Sequence, residues 1–168
     1  MTDTHSEALT RLGKPGDRSV VHATFHLERT YDASSQRVFK ALSDLEAKNK
    51  WFGGDDSQRE VLERYMDFSV GGRERMSVRW NGGVVSTFDA IYHDIIPGER
   101  IIYSYVMHLN EAKISASLAT LQLKVAGPGR STLSVTEQGA FLDGYDDAGS
   151  RESGTAQLLE QLGASLAG

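Results

Sequence analysis

Few residues in this sequence are equipped for acid–base chemistry. His93 and His108, with Asp89, Asp94 and Glu137 as carboxylate partners, are the ones whose types could move a proton. Enclosed together, such groups could assist an aldol-type cyclisation or a dehydration. The alternation of the runs that carry them argues against that. Phe88, Ala90 and Tyr92 share one parity, which places Asp89 and His93 on the opposite, outer face. His108 falls at a hairpin end. Glu137 shares parity with Leu133 and Val135 and is expected to point inward, which makes it the ionisable residue to test at a bound ligand. His22 and His26 lie on one side of a strand but roughly 13 Å apart at ~3.3 Å per residue, too far to share one ion. Cysteine is absent, so thiol nucleophiles, thiolate metal sites and disulfides are excluded together. There is no Gly-x-Ser-x-Gly elbow, no His-Glu-x-x-His, and no Gly-rich loop between a strand and a helix. No catalytic residue, metal site or cofactor is assigned.

The apolar residues make a stronger pattern. Trp51, Phe52, Met76, Trp80, Phe88, Tyr103, Tyr105, Met107 and Phe141, with Glu137, are candidates for the lining of a pocket. Any one of them could be plain core. As a set they suit a flat, apolar ligand, with Tyr hydroxyls to orient it and Met side chains that adapt to its shape.

The elements that would position them follow from periodicity. Val84 to Met107 reads as a long hairpin around Pro97-Gly98, a pair suited to the centre of a type II turn. Ile101, Tyr103, Tyr105 and Met107 form one apolar face of its second strand. Upstream, Ser19 to Tyr31 alternates as a half-buried strand. Ser34 is a plausible N-cap for a short helix through Val38, Phe39 and Leu42, and Ser43 is expected to cap a second one, with Glu46 three residues on. Strands are expected over Val61 to Phe68, Arg73 to Trp80, Ile114 to Val125 and Ser131 to Gln138. Asn81-Gly82 is a hairpin signal in which both residues tolerate positive φ. A C-terminal amphipathic helix presents Ala148, Thr155, Leu158, Leu159, Leu162 and Leu166 to one side. Its Gly149, Gly154 and Gly163 each cost about 1 kcal/mol relative to Ala, which close packing or room for a ligand would explain.

The totals bound the rest. The 168 residues, 39% hydrophobic and 24% charged, suit one domain over positions 18–168, with positions 1–17 as a polar arm. A net charge of −5 and the lack of any dense Lys/Arg block argue against nucleic acid as a partner. No apolar run is long enough for a signal peptide or a membrane span, so a cytoplasmic protein without membrane insertion is expected.

Several landmarks occur together: Arg29-Thr-Tyr-Asp-Ala-Ser34 leading to Val38-Phe39, Lys50-Trp51-Phe52, Asp67-Phe-Ser-Val-Gly71-Gly72-Arg73, Pro97-Gly98-Glu99-Arg100-Ile101, Thr136-Glu137 and Gly144-Tyr145. In this order they resemble the SRPBCC (START/Bet v 1-like) superfamily, and within it the activator of heat-shock-protein-90 ATPase homologue family, over Val20 to Leu166. The resemblance implies an α+β helix-grip fold, in which a curved seven-stranded antiparallel sheet wraps a long C-terminal helix, with two short helices after the first strand. It also implies an internal apolar cavity. Glu74 departs from the apolar residue that relatives often place after Gly-Gly-Arg; an ordinary ion pair is expected for it, with a polar group inside the pocket as the alternative. The functional expectation is binding of a small hydrophobic molecule, aromatic or lipid-like, without catalysis. The alternatives are a polyketide cyclase or aromatase-like enzyme in the same cavity, or a co-chaperone-like stress-response module that meets a chaperone or a second copy of itself.

Overall fold

The computed structural model describes residues 18–54 and 56–167. The expected arm over positions 1–17 lies outside the described residues. The chain runs β1 (Val20–Tyr31), α1 (Ser35–Ser43), α2 (Leu45–Lys48), a 3-10 turn (Asp56–Gln58), then six strands and a last helix. The strands are β2 (Arg59–Met66), β3 (Arg73–Trp80), β4 (Val85–Ile96), β5 (Arg100–Leu109), β6 (Ala112–Val125) and β7 (Ser131–Leu142), and the helix is α3 (Ala148–Leu166).

One antiparallel sheet of order β1-β7-β6-β5-β4-β3-β2 results. β2 to β7 form a meander, and β1 closes the far edge against β7, so the segment holding α1 and α2 must carry the chain from one edge to the other. Register shifts with an extra residue in β2, β4 and β6 bend the strands as bulges do. This is the expected helix-grip α+β fold. No helix among the described residues is long and apolar enough to cross a membrane.

Local chemistry sets most of the boundaries. The Ser34 side chain accepts from Arg37 N at 3.2 Å and caps α1. At Pro97-Gly98 the Glu99 N–H donates to Ile96 O, with Gly98 at φ 76°, a conformation that costs a residue without Cβ little. Three expectations need correction. Ser43 ends α1 and does not cap α2; Asp44 does, accepting from Ala47 N at 2.9 Å, because a carboxylate one residue later offers the same bond after α1 has closed. Asn81 stays out of the positive-φ region, which Gly82 and Gly83 take instead. β7 runs on to Leu142, since β1 and β6 flank it on both sides as far as Phe141, whereas alternation alone stopped it at Gln138.

The core lies between the sheet and the helices. Val38 and Leu42 of α1, Tyr92, Leu133 and Val135 of the sheet, and Leu159, Leu162 and Leu166 of α3 are buried in it. Tyr31 fixes the helix: its hydroxyl donates to Leu159 O at 2.7 Å, and its ring lies so close to Gly163 that a Cβ there would sit 2.9 Å from Cε1. Close backbone approach therefore accounts for Gly163. Gly154, which faces open space, has no such account.

Candidate functional site

An aromatic wall lines the inner face of β4 and β5. Ring centroids step from Trp51 to Phe52 (5.7 Å), Phe88 (5.1 Å) and Tyr105 (5.0 Å), then to Tyr103 (5.9 Å), Tyr92 (6.0 Å) and Phe68 (5.0 Å). Strand alternation puts Phe88, Tyr92, Tyr103 and Tyr105 on one side, as β4 pairs Phe88 with Met107, Ala90 with Tyr105 and Tyr92 with Tyr103, and Trp51, Phe52 and Phe68 join them from the connecting segments. The close backbone neighbours of α3 are β1 and α1, while β3, β4 and β5 stand further from it. Phe52, Trp80, Tyr103, Met107 and Leu158 are accordingly only half-buried, although they pack against the core.

The candidate lining residues divide by role. Trp51 is pinned as core by a 2.9 Å bond from Nε1 to Ala41 O. Trp80 Nε1 donates to Ser86 Oγ at 2.8 Å and its ring faces Gly54. Met76, Phe88, Tyr105 and Phe141 are buried. Tyr103 is flanked by Phe88, Tyr92 and Tyr105. Its hydroxyl has no hydrogen-bond partner among the described residues. Burial, with Tyr105 and Glu137 nearby, holds that phenol well above the ordinary value.

Glu137 points inward and is 4% exposed. Oε1 accepts from the Tyr105 hydroxyl at 2.8 Å, while Oε2 is buried without a hydrogen-bond partner among the described residues, 4.0 Å from Arg151 Nη1. Burial raises its carboxyl above the usual range, and Arg151 and Tyr105 offset this only in part. Arg151, from the first turn of α3, reaches the Tyr105 hydroxyl (2.9 Å), Ser115 Oγ (2.8 Å) and Asp146 Oδ2 (2.9 Å).

A second polar cluster sits on the β2–β3 side of the wall. Glu74 is 1% exposed. Its Oε1 accepts from Lys48 Nζ at 2.7 Å and from the Tyr92 hydroxyl, and Oε2 lies 2.8 Å from Arg64 Nη1. The contact to Arg64 is an ion pair without hydrogen-bond geometry at Oε2. Burial pushes the Glu74 carboxyl up, but Lys48, Tyr92 and Arg64 together outweigh it and hold it below the ordinary range. The expected ion pair is thus present, inside the protein.

The histidines do not join either cluster. His93 is on the outer face, with Nε2 2.6 Å from Ser104 Oγ. Asp89 pairs with Arg75, and Asp94 with Arg100. His22 helps line an open dish of about 470 Å³ on the outer face, with Thr24, Ala116, Leu118, Gln138 and Ala140. No group of three or more metal-ligating residues occurs among the described residues. Sequence reasoning missed Lys48, Arg64 and Arg151. Lys48 ends a one-turn helix, too short to show a periodicity, and Arg64 needed knowledge of a bulge. Arg151 was legible only as a charge on the helical stripe.

The profile described as activator of Hsp90 ATPase homolog 1-like protein matches residues 32–167. No curated protein sequence matches the chain. Among solved structures, a protein from Rhizobium leguminosarum is 44% identical, with 89% of this chain and 97% of that one covered and a TM-score of 0.83. One from Rhizobium loti is 43% identical, covering 88% and 99%, with a TM-score of 0.80. A third, from Chromobacterium violaceum, is 27% identical, covering 85% and 96%, with a TM-score of 0.69. The chain belongs to the activator of Hsp90 ATPase homolog 1-like family, within the SRPBCC superfamily.

Proposed function

We propose that this domain binds a small, flat, apolar molecule between the aromatic wall of β4 and β5 and the inner face of α3. The observation that carries this reading is the incomplete burial of Tyr103 and Met107, inward-facing side chains on strands that are not close backbone neighbours of α3. Covering apolar surface is worth about 25 cal/mol per Å², so a ligand that buries ~200 Å² there gains about 5 kcal/mol before the costs of association. The unpartnered Tyr103 hydroxyl and Glu137 Oε2 are placed to orient its polar groups. A cyclase reading would rest on Glu137 without a histidine partner, since His93 is engaged on the other face.

Native mass spectrometry of protein purified gently from its host tests the proposal. A stoichiometric apolar adduct, weakened by Met107→Ala and Tyr103→Ala, is the expected result. An adduct-free protein that also ignores apolar dyes would refute it.

A second reading draws on the family description, which names activation of a chaperone ATPase. Here the domain would dock on a chaperone and change its ATP turnover. Unaltered turnover by the host chaperone at saturating protein would dismiss that role.

A further inference from the structure

β2 contains one residue more than its partner strand: Val61 lies opposite Val78 and Glu63 opposite Ser77, leaving Leu62 extra. The extra residue inverts the alternation. Arg59, opposite Trp80, and Arg64, opposite Met76, therefore both reach the inner face despite an odd separation. Their side chains are 5% and 9% exposed. Arg59 Nη1 packs beside Gly53, where a Cβ would lie 2.8 Å from it, and Met76 packs at the same spot. The Phe52 ring has Lys48 Nζ at 4.6 Å and Arg64 Cζ at 5.3 Å from its centroid.

Three cations thus gather around Phe52, Gly53 and Met76. Among the described residues their ion-pair partners are Glu74 and Asp56. Glu74 is already shared between Lys48, Arg64 and Tyr92. Asp56 is largely exposed and reaches Arg59 through Nη2 alone, at 2.5 Å. Among the described residues, Arg59 Nε, Arg59 Nη1 and Arg64 Nη2 are buried without a hydrogen-bond partner. Unpaired donors on buried guanidinium groups are costly, and natural proteins retain them where something else supplies the acceptor.

We propose that Arg59 and Arg64 hold the acidic end of the bound molecule. The ligand is an amphiphile whose oxyanion (a carboxylate, sulfonate or phosphate) docks on the free N–H groups beside Phe52, with its apolar body along Phe88 and Tyr103. The path is continuous, as Phe52 lies 5.1 Å from Phe88 and Phe88 lies 6.2 Å from Tyr103. A guanidinium fork suits two oxygens of one anion. Phe52 and Met76 must shift to admit the anion, and a Met side chain re-packs readily. The assignment rests on the apolar-ligand reading above and names the class of molecule that reading leaves open.

Two dyes with one skeleton test it on the full chain: 1-anilinonaphthalene-8-sulfonate and uncharged N-phenyl-1-naphthylamine. The sulfonate is expected to bind about tenfold or more tightly than the neutral dye, the scale of a charge-assisted hydrogen bond. Arg59→Met and Arg64→Lys should each remove most of that preference, and Arg79→Met on the outer face should leave it intact. Arg59→Met should also melt within about 2 °C of the parent, because an ion pair with an exposed aspartate contributes little. Displacement of bound sulfonate dye by decanoate or decyl phosphate, each against decanol, then separates the two natural oxyanions.

Equal binding of both dyes, a preference that survives Arg59→Met and Arg64→Lys, or decanol that competes as well as the acids would overturn the anion assignment and leave apolar binding standing. A large fall in melting temperature for Arg59→Met would make that residue structural and overturn its role. Failure of both dyes would remove the binding reading itself, and this proposal with it.

Discussion

Replacing Glu74 by Leu should leave two cations stranded inside the protein. The carboxylate is 1% exposed and engages Lys48 at 2.7 Å and Arg64 at 2.8 Å, with the Tyr92 hydroxyl on Oε1. Removing one member of a buried ion pair typically costs about 3–5 kcal/mol, because the remaining charge stays desolvated. Lys48 can escape by losing its proton, a change that burial already favours. Arg64 cannot, so most of the cost persists. At about 2–4 °C per kcal/mol for a domain of this size, the melting temperature should fall by roughly 6–20 °C. The triple change Lys48→Met, Arg64→Met and Glu74→Leu removes the charges together and should recover most of the loss, since apolar replacements of buried ion clusters are often neutral or stabilising. Urea unfolding followed by the fluorescence of Trp51 and Trp80 measures both, with an unchanged m-value as the check that only stability moved. A Glu74→Leu protein as stable as the parent, or a triple variant no better than the single one, would refute the reasoning.

The two buried glutamates should depend on pH in opposite senses. Glu74 has a depressed folded pKa, so its stabilisation is present above the unfolded value of about 4.3 and is lost as pH falls through the folded value; the deficit of Glu74→Gln should shrink in acid. Glu137 is raised, so its contribution is full below about pH 4.3 and is lost as pH rises through the folded value; Glu137→Gln should gain on the parent between about pH 4 and neutrality, read by thermal melts at each pH. Gly154→Ala, in open space, should add about 1 kcal/mol by helix propensity, whereas Gly163→Ala should lose stability against the Tyr31 ring. Asp147→Ala removes the cap on Ser150 N and should cost about 1 kcal/mol in urea. On the proposed function, Thr155→Leu should raise stability by about 1 kcal/mol while weakening dye binding; a loss of about 1–3 kcal/mol would mean the site is already packed.

Legibility varied with the kind of signal. Period-2 alternation placed Phe88, Tyr103, Tyr105 and Glu137 on the inner face, because the register is unbroken from Phe88 to Tyr92, from Tyr103 to Met107 and from Leu133 to Phe141. The Pro97-Gly98 turn was legible because the required backbone conformation selects the residue. Ser43 and Asp44 are both able caps, so local chemistry could not say which one α1 would leave free. The β2 bulge has no comparable mark in Arg59 to Met66, and without it Arg59 and Arg64 count to opposite faces. Glu74, opposite Ala90 and between inward Met76 and the β3 start, was legible as a departure from pattern but not as the centre of a buried cluster, since Lys48 and Arg64 arrive from separate elements.

Side chains are distributed unevenly along α3. From Gly149 to Ala156 the helix carries small residues apart from Arg151 and Glu152, while Leu158, Leu159, Leu162 and Leu166 crowd its second half. The leucine half closes onto the core beside Tyr31, where Gly163 permits near contact. In the first half, the side chain that reaches the sheet is Arg151, through the Tyr105 hydroxyl and Ser115. Arg151 thus meets the sheet through hydrogen bonds and ring contacts, where the second half of the helix uses leucine packing. The polar cluster around Glu137 takes the place of apolar packing in this half of the helix, while Tyr103 and Met107 remain only partly buried. On the proposed function, an apolar molecule would cover those two side chains.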